Sequence, residues 1–307
     1  MPAVTVRMRE GCSVHRMESH APMMIITGAF LMQTEAKNLS LTLQETQQTS
    51  KSGLVKRLFF LVVSLTGGVL LWQLVVTLLG LPAFILPGPG LVWRRFLQSL
   101  GDGQLMRHTI TTLTQVLAGL FIGGFTATSL GYLLAKSATL EKLISPYLVA
   151  SQSIPIVAIA PLLVIWFGPG IFSKILICSL IVFFPILINT VVGLREVPRD
   201  LRDLMRTLKA NPIQMFWKLE VPAALPIYLG GLRVGATLSV IGSVVGELVG
   251  ADRGLGFLIN VGRGQYDTAL VFVAVLTLIV MAMALYGLVL LIERRLLSWQ
   301  FWRQGNG

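Results

Sequence analysis

Few side chains in this sequence could do chemistry, and they are scattered. Its apolar stretches hold Gln73, Gln115, Gln152, Ser153, Asn189, Arg233 and Glu247. Ionisable groups are costly in a bilayer and are the first candidates for function there. Arg233 lies within two turns of one end of its stretch, so its long stem can carry the guanidinium to water. Glu247 lies near the other end of the same stretch. It reads either as an exposed interfacial carboxylate or as a lining or gating group on a translocation path. Gln152, Ser153 and Trp166 are further lining candidates. No G-x-S-x-G, no H-E-x-x-H and no paired carboxylates within an apolar run occur. No G-x-x-x-x-G-K-[ST] occurs either, so the chain cannot cradle ATP phosphates by a Walker A loop. Cys12 and Cys178 are too far apart in character to frame a disulfide, and His15, His20 and His108 show no metal spacing. The expectation is a protein that is not an enzyme and has no metal or cofactor of its own.

A second kind of chemistry, recognition, is legible between Arg195 and Leu225. Leu201, Leu204, Met205 and Leu208 fall at i, i+3, i+4 and i+7, one face of a helix. Asn211-Pro212 stops that helix and starts another, with Asn as N-cap and Pro at the first position. Phe216, Trp217 and Leu219 continue the apolar content. The pattern predicts a short helix–turn–helix, apolar on one face and basic on the other. It either packs on the protein's own inner face or docks a partner by helix-in-groove recognition.

The elements that must position these residues are membrane helices. The chain has 307 residues, is 54% hydrophobic and 13% charged, and has a mean hydropathy of +0.76. An ordinary soluble domain is about 25% charged. This excludes a disordered protein, a disulfide scaffold and an ordinary soluble enzyme. Six apolar spans follow, at 58–80, 108–135, 143–167, 171–194, 226–250 and 267–292, each long enough to cross the bilayer as a helix. Pro146, Pro155 and Pro161 predict a kinked third span. With the N-terminus inside, the inner segments carry 18 Lys and Arg and the outer ones 6. This obeys the positive-inside rule and puts both termini in the cytoplasm. The net charge of +11 is therefore mostly topology, and nucleic acid binding is unnecessary.

Residues 1–57 read as a flexible cytoplasmic tail. Its apolar patch, Met23 to Met32, is too short to span and has no small-residue cleavage site after it. Methionines at 17, 23, 24 and 32 offer later starts. Residues 89–100 read as a short interfacial helix on the outer side or as an ordered loop. The fifth span carries Gly231, Gly235, Ser239, Gly242, Gly246 and Gly250 on roughly one face, a surface for close helix approach. Packing within the subunit, a homodimer seam and a sliding gate surface all fit it.

The run DLMRTLKANPIQMFWKLEVPAALPIYLGGLRVGA resembles the EAA signature of the integral membrane subunits of binding-protein-dependent ABC importers. Asp203, Leu204 and Met205 match its opening, Lys209 takes the place of its glycine, and Leu219-Glu220-Val221-Pro222 with Ala223-Ala224-Leu225-Pro226 closes it. SIPIVAIAPLLVIWFGPGIFSKI (153–175), FFPILINTVVGL (183–194) and VVGELVGADRGLGFLI (244–259) look like the nitrate/sulfonate/taurine branch, leaning toward members that import pyrimidines or riboflavin-like heterocycles. The resemblance covers about 60–300. It implies an all-α membrane protein with six transmembrane helices, a type I ABC importer permease-like fold and cytoplasmic coupling helices. The domains would be a tail at 1–57, a permease domain at 58–300 with its coupling loop at 195–225, and a short tail at 301–307. It further implies a permease homodimer in the bacterial inner membrane, two cytoplasmic ATPase subunits that bind the ATP, and an extracytoplasmic solute-binding protein. Carried over by the signature, Leu201, Asp203, Leu204, Met205, Leu208, Lys209, Asn211, Pro212 and Phe216 would seat in the ATPases. The alternative is a stand-alone secondary transporter or channel, which would need an intramembrane ion relay where only Glu247 is available.

Overall fold

The computed structural model describes residues 59–60 and 62–297, and these form helices and their connections, with no strand among the described residues. The tails at 1–57 and 301–307 lie outside them. The chain divides into two units between Leu71 and Trp72, inside helix α1 (Val62–Leu79). The described part of the first unit is the opening half of α1, apolar and exposed all round. Such a surface suits lipid or another helix and does not suit water.

The second unit holds the rest. α2 (Pro89–Gly101) matches the expected short helix and starts on Pro89, whose missing N–H costs nothing at a helix start. α3 (Gln104–Lys136), α6 (Ile171–Arg195), α9 (Val221–Gly250) and α11 (Thr268–Leu296) are long and apolar enough to cross a membrane, as is α1. The third expected span is more than kinked. It is two helices, α4 (Ala138–Gln152) and α5 (Ile156–Phe167), bent by 92° at a break containing Pro155. Counted as one span, the pair brings the total among the described residues to six. α7 (Arg199–Thr207) and α8 (Pro212–Met215) form the predicted hairpin between α6 and α9. One element has no counterpart among the expected ones: between the spans expected at 226–250 and 267–292 lies α10 (Leu255–Gly264).

α6 lies between α3 and α9 and forms the centre of this unit. Glycines allow it. On α9, Gly242 backs onto Cys178 and Gly246 onto Lys174 and Ile177. On α3, Gly123 is so close to α6 that a Cβ there would stand 2.6 Å from the Ser179 carbonyl oxygen. The small-residue stripe of the fifth span thus packs within the chain, and α3 contributes a second glycine row, Gly119, Gly123 and Gly131, from the other side. Close backbone approach of this kind is how helices gain dispersion contacts where no hydrophobic effect drives them together.

Candidate functional site

The hairpin stands at the N-terminal end of α9. α7 carries Leu201, Asp203, Leu204 and Met205, with Leu208 as its C-cap. Leu201, Leu204 and Leu208 are exposed, the last two at 54% and 68%, while Met205 is half-buried and Asp203 points to solvent. Ile213 and Trp217 are exposed as well. An apolar ridge of five side chains is thus left uncovered on the most polar segment between the spans.

The turn between α7 and α8 is a Schellman motif. Ala210 N–H donates to the Met205 carbonyl at 3.0 Å and Lys209 N–H to the Arg206 carbonyl at 2.9 Å. Lys209 holds φ +53°, the left-handed conformation that such a cap requires and that glycine adopts most readily. The residue standing where the signature has glycine therefore makes the glycine-type turn. Asn211 then caps α8, accepting from Gln214 N–H at 2.7 Å, and the Gln214 side chain accepts from Asn211 N–H at 3.1 Å, with Pro212 at the first helical position. Gln214 completes a capping box, and the N-x-x-Q spacing is the signal in the sequence that carries it.

Phe216 faces the other way. It opens a π-helical turn, Phe216–Glu220, and packs edge-to-face on Tyr132 of α3, centroids 5.3 Å apart. Beneath it Glu220 is buried and accepts from Lys136 Nζ at the end of α3. Arg202 donates to the Leu194 carbonyl at 2.6 Å, and Arg195 pairs with Glu141. The hairpin and the turn that follows it are thus tied to α6 and α3 on the inner side, while Leu201, Leu204 and Leu208 stay bare. An apolar cavity of about 820 Å³ opens beside it, lined among others by Phe125, Tyr132, Thr190, Phe216, Trp217 and Tyr228.

The four lining candidates do not converge. Gln152 and Ser153 are exposed at the break between α4 and α5, and Trp166 is exposed at the end of α5. Glu247 is not the exposed interfacial carboxylate of one expectation. It is fully enclosed, because Thr112, Ser243 and the start of α10 close around it. Arg233 does not reach for water alone but pairs with Glu293 of α11. Lys174 is buried in the first turn of α6, its ammonium donating to the carbonyls of Pro169 and Gly250. It joins Gln115, Thr111, Thr114, Asp252 and Arg253 around a second, polar cavity of about 380 Å³. Nothing in its spacing signals this; a lone Lys four residues past Gly-Pro-Gly reads as flank.

Known proteins place this arrangement. Residues 115–298 match the family of binding-protein-dependent transport system inner membrane components. The chain is 48% identical over 229 residues to the riboflavin transport system permease protein RibX of Chloroflexus aurantiacus, covering 75% of this chain and 85% of that one. It is 34% identical over 251 residues to the formylaminopyrimidine transport permease protein ThiX of Halalkalibacterium halodurans, covering 82% and 98%. With the taurine transport system permease protein TauC of Escherichia coli it shares 32% over 236 residues, covering 74% and 85%. In fold it is similar to a chain of the inward-facing MetNI methionine ABC transporter, with a TM-score of 0.56 and 23% identity over 62% of this chain and 95% of that one. A stand-alone secondary transporter is thereby set aside: the chain belongs to the family of binding-protein-dependent transport system inner membrane components, as the transmembrane permease subunit of an ATP-driven ABC importer that works with ATPase and solute-binding subunits.

Proposed function

We propose that the α7–α8 hairpin is the surface by which this permease seats in its ATPase, and that the imported solute is a flavin-like or pyrimidine-like heterocycle. The exposed ridge of Leu201, Leu204, Leu208, Ile213 and Trp217 carries the first part. Side chains of this size left bare on a charged segment mark a protein contact. Asp203, Met205, Lys209, Asn211, Pro212 and Phe216 shape and anchor that surface. The excess of Lys and Arg on the hairpin side supports a cytoplasmic position for it, with both termini on the same side of the inner membrane. Two copies would complete the pathway, to which Gln152, Ser153 and Trp166 are the exposed candidates. ATP and any cofactor would be held by the partner subunits.

The substrate reading rests on the gradient of likeness, 48% to a riboflavin permease and 34% to a formylaminopyrimidine permease against 32% to sulfonate and taurine permeases. Selectivity in a binding-protein-dependent system is set first by the binding protein. The test is a mild-detergent pull-down of the tagged chain, followed by calorimetry of the co-recovered binding protein with riboflavin, a formylaminopyrimidine and taurine. Recovery of an ATPase together with binding of either heterocycle is the expected result. Binding of taurine alone would overturn the substrate reading, and an ATPase held equally well by a permease lacking 199–218 would overturn the docking reading.

A further inference from the structure

Glu247 has no solvent to meet, and its surroundings define a different task. Its carboxylate lies against the first turn of α10, where backbone N–H groups have no partner inside the helix. Oε2 accepts from Gly256 N–H at 2.7 Å, and Oε1 accepts from Thr112 Oγ1 at 2.8 Å. Thr112 Oγ1 in turn accepts from Leu255 N–H at 2.8 Å, and His108 Nδ1 accepts from Gly254 N–H at 2.9 Å. Three consecutive N–H groups at the start of α10 are therefore satisfied by side chains of α3 and α9. The residue in the N-cap position, Gly254, supplies no side-chain bond. It holds φ +119°, and a Cβ there would overlap the Glu247 carboxylate; one on Gly256 would stand 2.8 Å from Glu247 Cβ.

We propose that Glu247, Thr112 and His108 form a remote cap that locks α10 to α3 and α9, making Glu247 a positioning residue for transport and not a group that meets the solute. α9 runs 30 residues from the hairpin to this knot, about 45 Å at 1.5 Å per residue. A displacement of the hairpin is carried along that helix, and the cap delivers it to α10. The cap also sets a wall of the polar cavity, because Ala251, Asp252 and Arg253 span between Glu247 and Gly254. With the cap broken, α10 keeps its packing on α11 and the Asn260–Leu248 bond to α9 but loses the three bonds that fix its start to α3 and α9.

The test uses the full importer, with its ATPase and binding protein, in proteoliposomes. Thr112→Val keeps the shape and removes the hydroxyl; Thr112→Ser keeps the hydroxyl; Glu247→Gln leaves one acceptor oxygen for two donors, Gly256 N–H and the Thr112 hydroxyl. Thr112→Val and Glu247→Gln are expected to assemble normally and to move about tenfold less solute per ATP, a coupling loss of ordinary size, while Thr112→Ser stays near the parent. A reporter at Leu258→Cys, on a buried face of α10, in a Cys12→Ser background, should react with a membrane-impermeant maleimide in the Val and Gln variants and stay protected in the Ser variant. Equal transport and equal labelling of the Val and Ser variants would overturn the proposal. So would failure of the Val variant to assemble, since the hydroxyl would then serve folding alone. If Glu247→Gln does not assemble, the isosteric Val variant still decides.

Discussion

The two ends of α9 are built on opposite plans. At its N-terminal end the hairpin leaves Leu201, Leu204, Leu208, Ile213 and Trp217 in the open, with polar groups bonded inward to α3 and α6. At its C-terminal end the polar groups Glu247, Thr112, Gln115 and Ser243 are enclosed and bonded to one another, and the backbone of α10 completes them. On the proposed docking, one end is finished by another molecule; the other is finished by the chain itself. A coupling machine needs both. An apolar ridge can release and re-seat on a partner without breaking covalent or buried polar structure. A satisfied buried network resists rearrangement, because each group freed in a low-dielectric interior costs the full price of its desolvation.

The largest expected effect breaks the open end. On the proposed docking, Leu204→Asp or Leu208→Asp puts a carboxylate where the ATPase would close over an aliphatic side chain, and an unpaired charge in such a contact costs several kcal/mol, on the order of a thousandfold in affinity. Both positions are exposed in the free chain, so insertion and folding should be untouched. Co-purification of the ATPase should be lost while the amount of permease in the membrane stays constant. Undiminished co-purification would show that the ridge is not the seat.

A smaller effect probes whether the hairpin is rigidly joined to the bundle. Lys136→Met leaves Glu220 buried with no cation, and Glu220 already has one carboxylate oxygen without a partner. Lys136 is 44% exposed, so solvent screens part of the pair and the expected loss is about 1–3 kcal/mol, seen as a lowered thermal midpoint of the detergent-solubilised complex. Double replacement with Glu220→Gln should recover much of that loss, since the uncompensated charge is gone. A single Met variant as stable as the parent would mean that the hairpin floats free of α3.

What could be read in the sequence follows the same division. α2, the hairpin and its Asn211-Pro212 start were legible because their signals are local: a helical period, an N-cap, a proline at the first position. The broken third span was announced by Pro155 and its neighbours, although the size of the bend was not. α10 escaped because its caps come from residues 143 and 146 positions away and from Glu247 on another helix, so its own start shows only Gly-Leu-Gly. The enclosure of Lys174 was not visible, and Glu247 read either as an interfacial carboxylate or as a lining group, because hydropathy records depth and not what surrounds a side chain. The glycine row of α9 was visible; that α6 fills it, and that α3 offers a second row to the same helix, depends on packing between distant segments.

The smallest expected effect sharpens the open end at a single backbone angle. Lys209 is held at φ +53°, where a Cβ crowds the following carbonyl at a cost of about 1 kcal/mol. Lys209→Gly removes that crowding and at the same time frees the unfolded chain, so the net gain in hairpin stability should be only about 0.5 kcal/mol. Lys209→Val, β-branched and least tolerant of this angle, should lose about 1–2 kcal/mol. Hydrogen exchange at the Ala210 amide, which donates to Met205 across the turn, reads this opening directly. Protection should rise from Val to Lys to Gly. The ATPase supplies a second reading of the same variants. Were the turn alone important, affinity would follow protection in that order. If Lys209→Gly instead binds the ATPase more weakly while its amide is better protected, the ammonium itself is part of the seat, and the ridge recognises its partner by charge as well as by apolar fit.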